Sequence, residues 1–398
     1  MESLKVKFLM GPPDCNDPYI PTYSDLFLKE LSKEIGFEVT CAEMDEVADQ
    51  VLPVYFIASG GAELGFRACH EQTKEPYVLL TTPAYNSLPA AMEIMGYLQE
   101  HGKKGQILFG TTEEIAAELR HLLRNARIRE KLGKQHLGCF GEPGGLIASD
   151  ADLNALKERF GISMELYSLD ELVEEFHKGG YDENAYTSEL KTKGFDPAEV
   201  EKALNVYGAL QRLIARYGLT GVTVRCFDLL SAIHTTGCLA LAILNAQGIP
   251  AACEGDQKAL LSMAVMHVLT GEPGFMANPS YIDTKKNEIT FAHCTLPLNM
   301  CDRYSLMTHF ESGIGVAVSG DLTPQPMMIF KCNGDLSAYY AGKATLVETT
   351  HKTDLCRTQM VLKLDEGYEY FAKRPISNHH IIYKGDHKAI LDEILNVQ

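Results

Sequence analysis

The sequence is short of positive charge. Lys and Arg number 36 against 53 Asp and Glu, which gives a net charge of −17 over 398 residues. A chain this acidic repels phosphate backbones and anionic lipid, so no nucleic acid or membrane partner is expected. Long apolar runs are also missing. None approaches 18 residues, so no membrane-spanning helix is expected. The opening MESLKVKFLMGPPD lacks a basic region followed by a long apolar stretch, so no secretory signal is expected. The 11 cysteines form no C-x-x-C pair. An odd count without an export signal predicts reduced thiols and a cytoplasmic protein. Most of these cysteines then serve as small buried hydrophobes. Internal repeats, low-complexity tracts and a G-x-G-x-x-G dinucleotide fingerprint are absent as well.

What is present is enough apolar material, 45% of residues, for more than one packed core. The first third alternates β-like runs at 5–10, 54–58, 77–82 and 106–109 with helical patterns at 24–35 and 87–101. Thr111 and Glu114 form a capping box that opens a helix toward Leu132. Such alternation predicts a doubly wound α/β domain over 1–133. A second α/β domain is expected over 134–300, with a strand at 136–140 and helix starts at Ser149 and Ser168. Within it, Asp196-Pro197 caps a long helix closed by Gly218, and the polar stretch 178–193 reads as a surface excursion. Over 301–398 short β-like runs and a hairpin signal at Asn333-Gly334 predict an antiparallel, barrel-like β domain, ended by a helix at 387–395.

The stretch 221–293 carries the chemistry. A β-branched run at 221–226 ends at Phe227-Asp228, and a helix at 234–247 stops at Gly248. A strand at 249–253 ends at Glu254-Gly255-Asp256, and a helix follows at 257–269. A third strand at 288–292 ends at His293. Asp228, Glu254 and His293 are thus expected beyond three strand ends of consecutive βαβ units, where open parallel sheets bind ligands. Two carboxylates and an imidazole make an oxygen-rich set that suits Mn²⁺ or Mg²⁺ better than Zn²⁺ or copper. Such a site moves protons beside a polarised carbonyl. Each residue alone has an ordinary reading: a turn or cap for Asp228, turn chemistry with a helix N-cap for Glu254-Gly255-Asp256, and a structural role for His293. Their joint occurrence favours a site. Arg225 either holds a substrate oxygen or pairs with an acid. Ser59-Gly60-Gly61-Ala62-Glu63 is either a tight strand–helix turn or a backbone cradle for an anion or hydroxyl. The glycine-rich stretch 141–145 reads as a loop.

The segments RCFDLL, NAQGIPAACEGD and NEITFAHC, together with His379-His380 in SNHHIIYKGDH, resemble the L-fucose/L-arabinose isomerase family. The resemblance is clearest over 205–300 and 375–398. It implies two doubly wound α/β domains followed by a C-terminal β domain, and a metal-dependent aldose–ketose isomerase working through an enediol. Mn²⁺, or another divalent ion such as Mg²⁺ or Co²⁺, is the implied cofactor and a sugar the implied substrate. Asp228 and Glu254 become metal ligands and the proton-transfer pair. His379 and His380 start a strand, so they point to opposite faces. His380 is the expected third ligand, with His379, His293, Arg225, Gly60 and Glu63 against the substrate. The family also implies a homo-oligomer, a trimer or hexamer, with sites completed by the segments 11–19 and 59–63 of a neighbouring subunit. Two departures leave the sugar open: the chain is shorter than the fucose and arabinose enzymes, and Asp228 stands where a Glu is expected. A catalytically silent sugar-binding protein and an enediolate-forming lyase or epimerase are the competing readings.

Overall fold

The structure is a computed structural model describing residues 3–12, 14, 17–142 and 145–395. The segments 11–19 and 141–145 therefore lie partly outside the described residues. The chain forms two compact units, Met1–Glu130 and Lys131–Gln398.

In the first unit five strands, β1 (Ser3–Leu9), β2 (Glu38–Cys41), β3 (Val54–Ile57), β4 (Tyr77–Thr81) and β5 (Gly105–Leu108), form a parallel sheet in the order β2-β1-β3-β4-β5. The central strands are buried on both faces, which is why they read as unbroken apolar runs. Alternate residues serve opposite cores. Val54 and Phe56 pack with Phe27, Leu31 and Leu119. Tyr55 and Ile57 pack with Phe66, Ala91 and Ile94. The capping box is present: the Thr111 amide donates to Glu114 Oε2 at 2.8 Å, and the Glu114 amide donates to Thr111 Oγ1 at 3.2 Å. It opens the helix Thr112–Gly133.

The second unit begins with a four-stranded parallel sheet. Its strands β6 (His136–Phe140), β7 (Ser163–Tyr167), β8 (Gly221–Val224) and β9 (Ala251–Cys253) lie in the order β7-β6-β8-β9. Asp196 caps the helix Pro197–Tyr217, and Gly218 ends it at φ 63°. Ser168 caps the helix Leu169–Lys178, whereas Asp152 rather than Ser149 caps Leu153–Phe160. The stretch 178–193 is more ordered than its polarity predicts. Asn184 and Thr187 form a capping box there for the short helix Ala185–Leu190, and Leu190 is buried.

The same unit continues into β10 (Phe275–Asp283), β11 (Glu288–His293), β12 (Arg303–Met307), β13 (Ala317–Asp321), β14 (Pro326–Cys332), β15 (Tyr339–Thr350), β16 (Thr358–Leu364) and β17 (His380–Lys384). Six of them close a barrel in the order β10-β11-β16-β15-β14-β17, with each neighbouring pair antiparallel, while β12 and β13 form a separate ribbon. This corrects one expectation. The run that ends at His293 is not a third parallel strand. No helix separates it from β10. The two are joined by a tight turn and pair antiparallel, so the barrel takes its first two strands from before residue 301. The bulge at Pro279–Tyr281 breaks the alternation of β10, which hides that strand in the sequence.

Candidate active site

The turn after β9 is where the parallel sheet presents a carboxylate. Glu254 sits in left-handed backbone at φ 61°, followed by Gly255 at φ 67°. A glutamate there carries strain of order 1–3 kcal/mol, which surrounding contacts must hold. The barrel supplies those contacts. His293, at the end of β11, places Nε2 3.5 Å from Glu254 Oε1. His379, immediately before β17, places its own Nε2 3.5 Å from the same oxygen. Glu254, His293 and His379 each offer one ligand atom, all within 4.8 Å of one another.

Each imidazole is oriented from behind. His293 Nδ1 bonds Thr295 Oγ1 at 3.0 Å. His379 Nδ1 lies 3.0 Å from Asp256 Oδ2. Asp256 is itself fully buried. It accepts the Ala259 amide at 2.7 Å, as N-cap of the helix Gln257–Thr270, and faces Lys331 Nζ at 3.4 Å. Lys331 stands on β14 and is fully buried as well. Burial opposes charge on Asp256, but Lys331 and His379 outweigh it and hold its pKa at about 2. The carboxylate is therefore ionised and fixes the proton of His379 on Nδ1. That leaves Nε2 buried without a hydrogen-bond partner.

An orphaned imidazole nitrogen in a protein interior needs a ligand. Two atoms each about 2.1 Å from one ion, at ordinary coordination angles, stand roughly 3.0–3.4 Å apart. The 3.5 Å spacings fit that arrangement better than they fit hydrogen bonds, which favour shorter distances. The three residues thus suit a divalent cation, with the Asp256–His379 bond as the outer support that such histidines require. Without an ion, burial opposes charge on Glu254, but its two imidazoles hold its pKa far below the carboxylate range. Burial also opposes charge on His379, but the bond to Asp256 and the nearby charge of Glu254 nevertheless raise its pKa. Glu254 and His293 border a pocket open to solvent, whose walls include Phe227, Leu230, Asn278 and His309.

The other expected residues lie as follows. His380 points to the opposite face from His379, as strand alternation requires. Its Nδ1 bonds the Asn378 carbonyl at 2.9 Å and its Nε2 bonds Tyr370 Oη at 3.0 Å. The rings of Phe291, Tyr340 and Phe371 surround it. Burial, with Lys331 nearby, pushes its pKa down to about 3, so the ring is neutral. Of the adjacent pair it is therefore His379, not His380, that faces Glu254. Asp228 is not brought into the cluster either. It is the third residue of the helix Cys226–Ile233, half-exposed, and its Oδ2 accepts Arg225 Nε at 2.8 Å. The strand ends at Val224 and the helix begins two residues later, so Asp228 turns back onto Arg225 instead of following the strand direction. Arg225 also donates to the Glu142 carbonyl at 2.6 Å. Gly60 and Glu63 belong to the first unit, at the junction of β3 with the helix Glu63–Cys69.

Sequence reasoning treated Asp256 only as a helix cap and passed over Lys331. The signal for Lys331 was a lysine inside the apolar strand MMIFKC, where a buried charge requires a partner.

No protein-family model matches the chain. It is similar to the sulfoquinovose isomerase of Clostridium sp. (strain MSTE9), 27% identical over 280 residues that cover 68% of this chain and 60% of that protein. It is also similar to the sulfoquinovose isomerase of Alkalicoccus urumqiensis, 24% identical over 219 residues, 52% of this chain and 49% of the relative. The protein of that name from Priestia megaterium (strain ATCC 12872 / QMB1551) is 25% identical over 220 residues, with 52% and 49% covered. The chain thus spans 60% of the first of these relatives and about half of the other two.

Proposed function

We propose that this chain is a divalent-metal-dependent aldose–ketose isomerase acting on a sugar through an enediol. The observation that carries the reading is the convergence of Glu254, His293 and His379, whose ligand atoms lie within 4.8 Å of one another, with His379 held from behind by Asp256. The kinship to proteins named sulfoquinovose isomerase supports the sugar and the reaction class. Glu254, His293 and His379 would hold the ion. Bound there, it would polarise the hydroxyl and carbonyl oxygens at C1 and C2 of an open-chain sugar and make the C2 proton acidic. One carboxylate with two imidazoles is a softer donor set than two carboxylates, so Mn²⁺ and Co²⁺ are favoured over Mg²⁺.

The chain's own residues do the rest. Asp256 and Lys331 fix the ring of His379, so the ligand atom is set before substrate arrives. Phe227 and Leu230 give one wall of the pocket an apolar surface, which would help to keep water from an enediol. Glu254 Oε is the carboxylate beside the pocket that would carry a proton between C2 and C1. Asp228 is the second carboxylate of the expected pair, and joining Glu254 would require its side chain to swing away from Arg225. Arg225 would then be released to hold a substrate oxygen. The proposed assembly is a homo-oligomer, in which Gly60 and Glu63 contact the sugar.

The test is direct. Metal-stripped protein is incubated in deuterated water with candidate aldoses, sulfoquinovose included, and Mn²⁺, Co²⁺ or Mg²⁺ is added back. Ketose formation with deuterium at C1, and deuterium at C2 of the recovered aldose, both abolished in Glu254→Gln, is the expected result. Binding of sugar without exchange would leave a silent binding protein, and carbon–carbon cleavage would point to a lyase.

A further inference from the structure

Five cysteines far apart in sequence meet at the pocket. Cys226 opens the helix Cys226–Ile233 and Cys238 opens the helix Cys238–Ala246. Cys253 ends β9, Cys294 follows β11, and Cys356 precedes β16. They touch in series. The Cys253 thiol donates to Cys226 Sγ at 2.8 Å. Cys238 and Cys294 pack together, and Cys356 packs against them. None of the five is in a disulfide.

The string also adjoins the ligand cluster. Cys253 precedes Glu254 and Cys294 follows His293, so two of the three ligand residues have a thiol of the string as chain neighbour. The close pair is Cys226 and Cys253. A disulfide needs about 2.05 Å between sulfurs, so the 2.8 Å contact closes with a sub-ångström movement. Cys253 is paired in register with Val224, the strand end two residues before Cys226, which places Cys253 beside the start of the helix Cys226–Ile233. Both sulfurs border a pocket open to solvent, which gives a small oxidant a path.

We propose that Cys226 and Cys253 are a redox-sensitive dithiol that closes to a disulfide under a peroxide-class oxidant and thereby disables the adjacent ligand cluster. In the first step the sulfur of one thiolate attacks a peroxide oxygen. The O–O bond breaks, a sulfenic acid forms, and the departing hydroxide takes a proton to become water. In the second step the other thiol sulfur attacks the sulfenic sulfur. The S–S bond forms, the S–O bond breaks, and the second water leaves with the remaining thiol proton. Two thiols are oxidised by two electrons and one peroxide is reduced to two waters. The new bond draws Cys253 toward Cys226. Glu254, held at positive φ on the next residue, is carried out of register with His293 and His379. This last effect rests on the metal-site reading given above, whereas the disulfide itself does not.

The experiment uses the full-length protein, reduced and freed of reductant, titrated with hydrogen peroxide. Peptide mapping is expected to find one dominant linked pair, Cys226 with Cys253, and intact mass a loss of about 2 Da. Mn²⁺ affinity measured on the same samples is expected to fall at least tenfold and to return with dithiothreitol. Cys226→Ser and Cys253→Ser should each abolish the linked peptide and keep Mn²⁺ affinity after peroxide, while Cys356→Ser should not protect. Cys226→Ala stands in if the serine variant fails to fold. Single cysteines carried to sulfonic acid without linkage, a different dominant pair, or no reaction would each overturn the proposal. If the disulfide forms but the reduced protein never binds Mn²⁺, the dithiol stands and the metal-site reading fails. If Mn²⁺ binds and the disulfide does not form, the reverse holds.

Discussion

At the scale of single residues the informative contrast is between two neighbouring histidines. His379 and His380 have the same chemistry and opposite surroundings: a carboxylate pair on one side of the strand, an aromatic cage on the other. His379→Ala should therefore lower Mn²⁺ affinity at least a hundredfold by calorimetry. His380→Ala should leave that affinity within a few-fold while lowering the melting temperature, because Tyr370 loses its partner. Alternation alone said that one of the two faces the site. It did not say which, because the parity of β17 is set by its pairing with β10 and β14, through contacts such as Ala277 with His380. Asp256 gives a second prediction. Asp256→Asn keeps the helix cap but removes the charge that orients His379, and should cost about 10–100-fold in metal affinity. The pH dependence follows from the two shifted groups. The His379 pKa is raised, so in the metal-free protein its stabilising contribution is full below the ordinary imidazole value and is lost as pH rises through the raised one. The Asp256 pKa is depressed, so its contribution is full above the ordinary carboxylate value and is lost as pH falls toward about 2. Metal competes with the proton that the metal-free His379 ring gains. Affinity should thus fall by about tenfold per pH unit below the raised pKa, with proton release on binding seen in buffers of different ionisation enthalpy.

At the scale of elements, the parallel strands and capped helices were legible because their signals are local. The apolar run of β6 and the Asp196-Pro197 cap with Gly218 each depend on a few adjacent residues. The elements that were missed depend on distant partners. β10 contains a proline and a bulge, and it is a strand because the barrel closes around it. The misreading of β11 as parallel followed from that omission, yet His293 still reached Glu254, because the barrel brings the end of β11 against the turn after β9. Gly208 shows the same tension between local and distant terms. It lies inside the helix Pro197–Tyr217, where alanine would gain about 1 kcal/mol of helix propensity. A Cβ there would stand 2.0 Å from the Gly180 carbonyl oxygen and 2.8 Å from Tyr181 Cα. Both are backbone neighbours that a side-chain rotation cannot clear, and overpacking of that kind costs about 1–3 kcal/mol or more. Gly208→Ala should therefore be net destabilising, read as a lower midpoint in urea with an unchanged slope. A neutral or stabilised variant would mean that the 179–181 turn yields freely.

At the scale of the whole molecule, the chemistry is unevenly distributed. Glu254, His293 and His379, and the supporting Asp256, Lys331 and Thr295, all come from Lys131–Gln398. That unit has its own sheet and its own closed barrel. The first unit supplies none of the described metal-competent cluster, while the expected sugar contacts Gly60 and Glu63 fall within it. Ion binding and turnover should therefore separate when the chain is cut. The cut belongs after the helix Thr112–Gly133, which crosses the unit boundary, so the fragment to express is 134–398. It should fold cooperatively and bind Mn²⁺ within about threefold of the full-length affinity, since every ligand and its orienting partner is retained. Its isomerase activity should be lost, and Glu63→Ala in the full chain should raise KM for the sugar without changing the affinity for Mn²⁺. Sedimentation at micromolar concentration completes the test: the full chain is expected as a trimer or hexamer of the 44.0 kDa subunit. A fragment that folds, binds the ion and turns over sugar at the full rate would leave the first unit without a part in catalysis, whereas a fragment that folds but cannot hold Mn²⁺ would show that the three ligands are not sufficient for the centre.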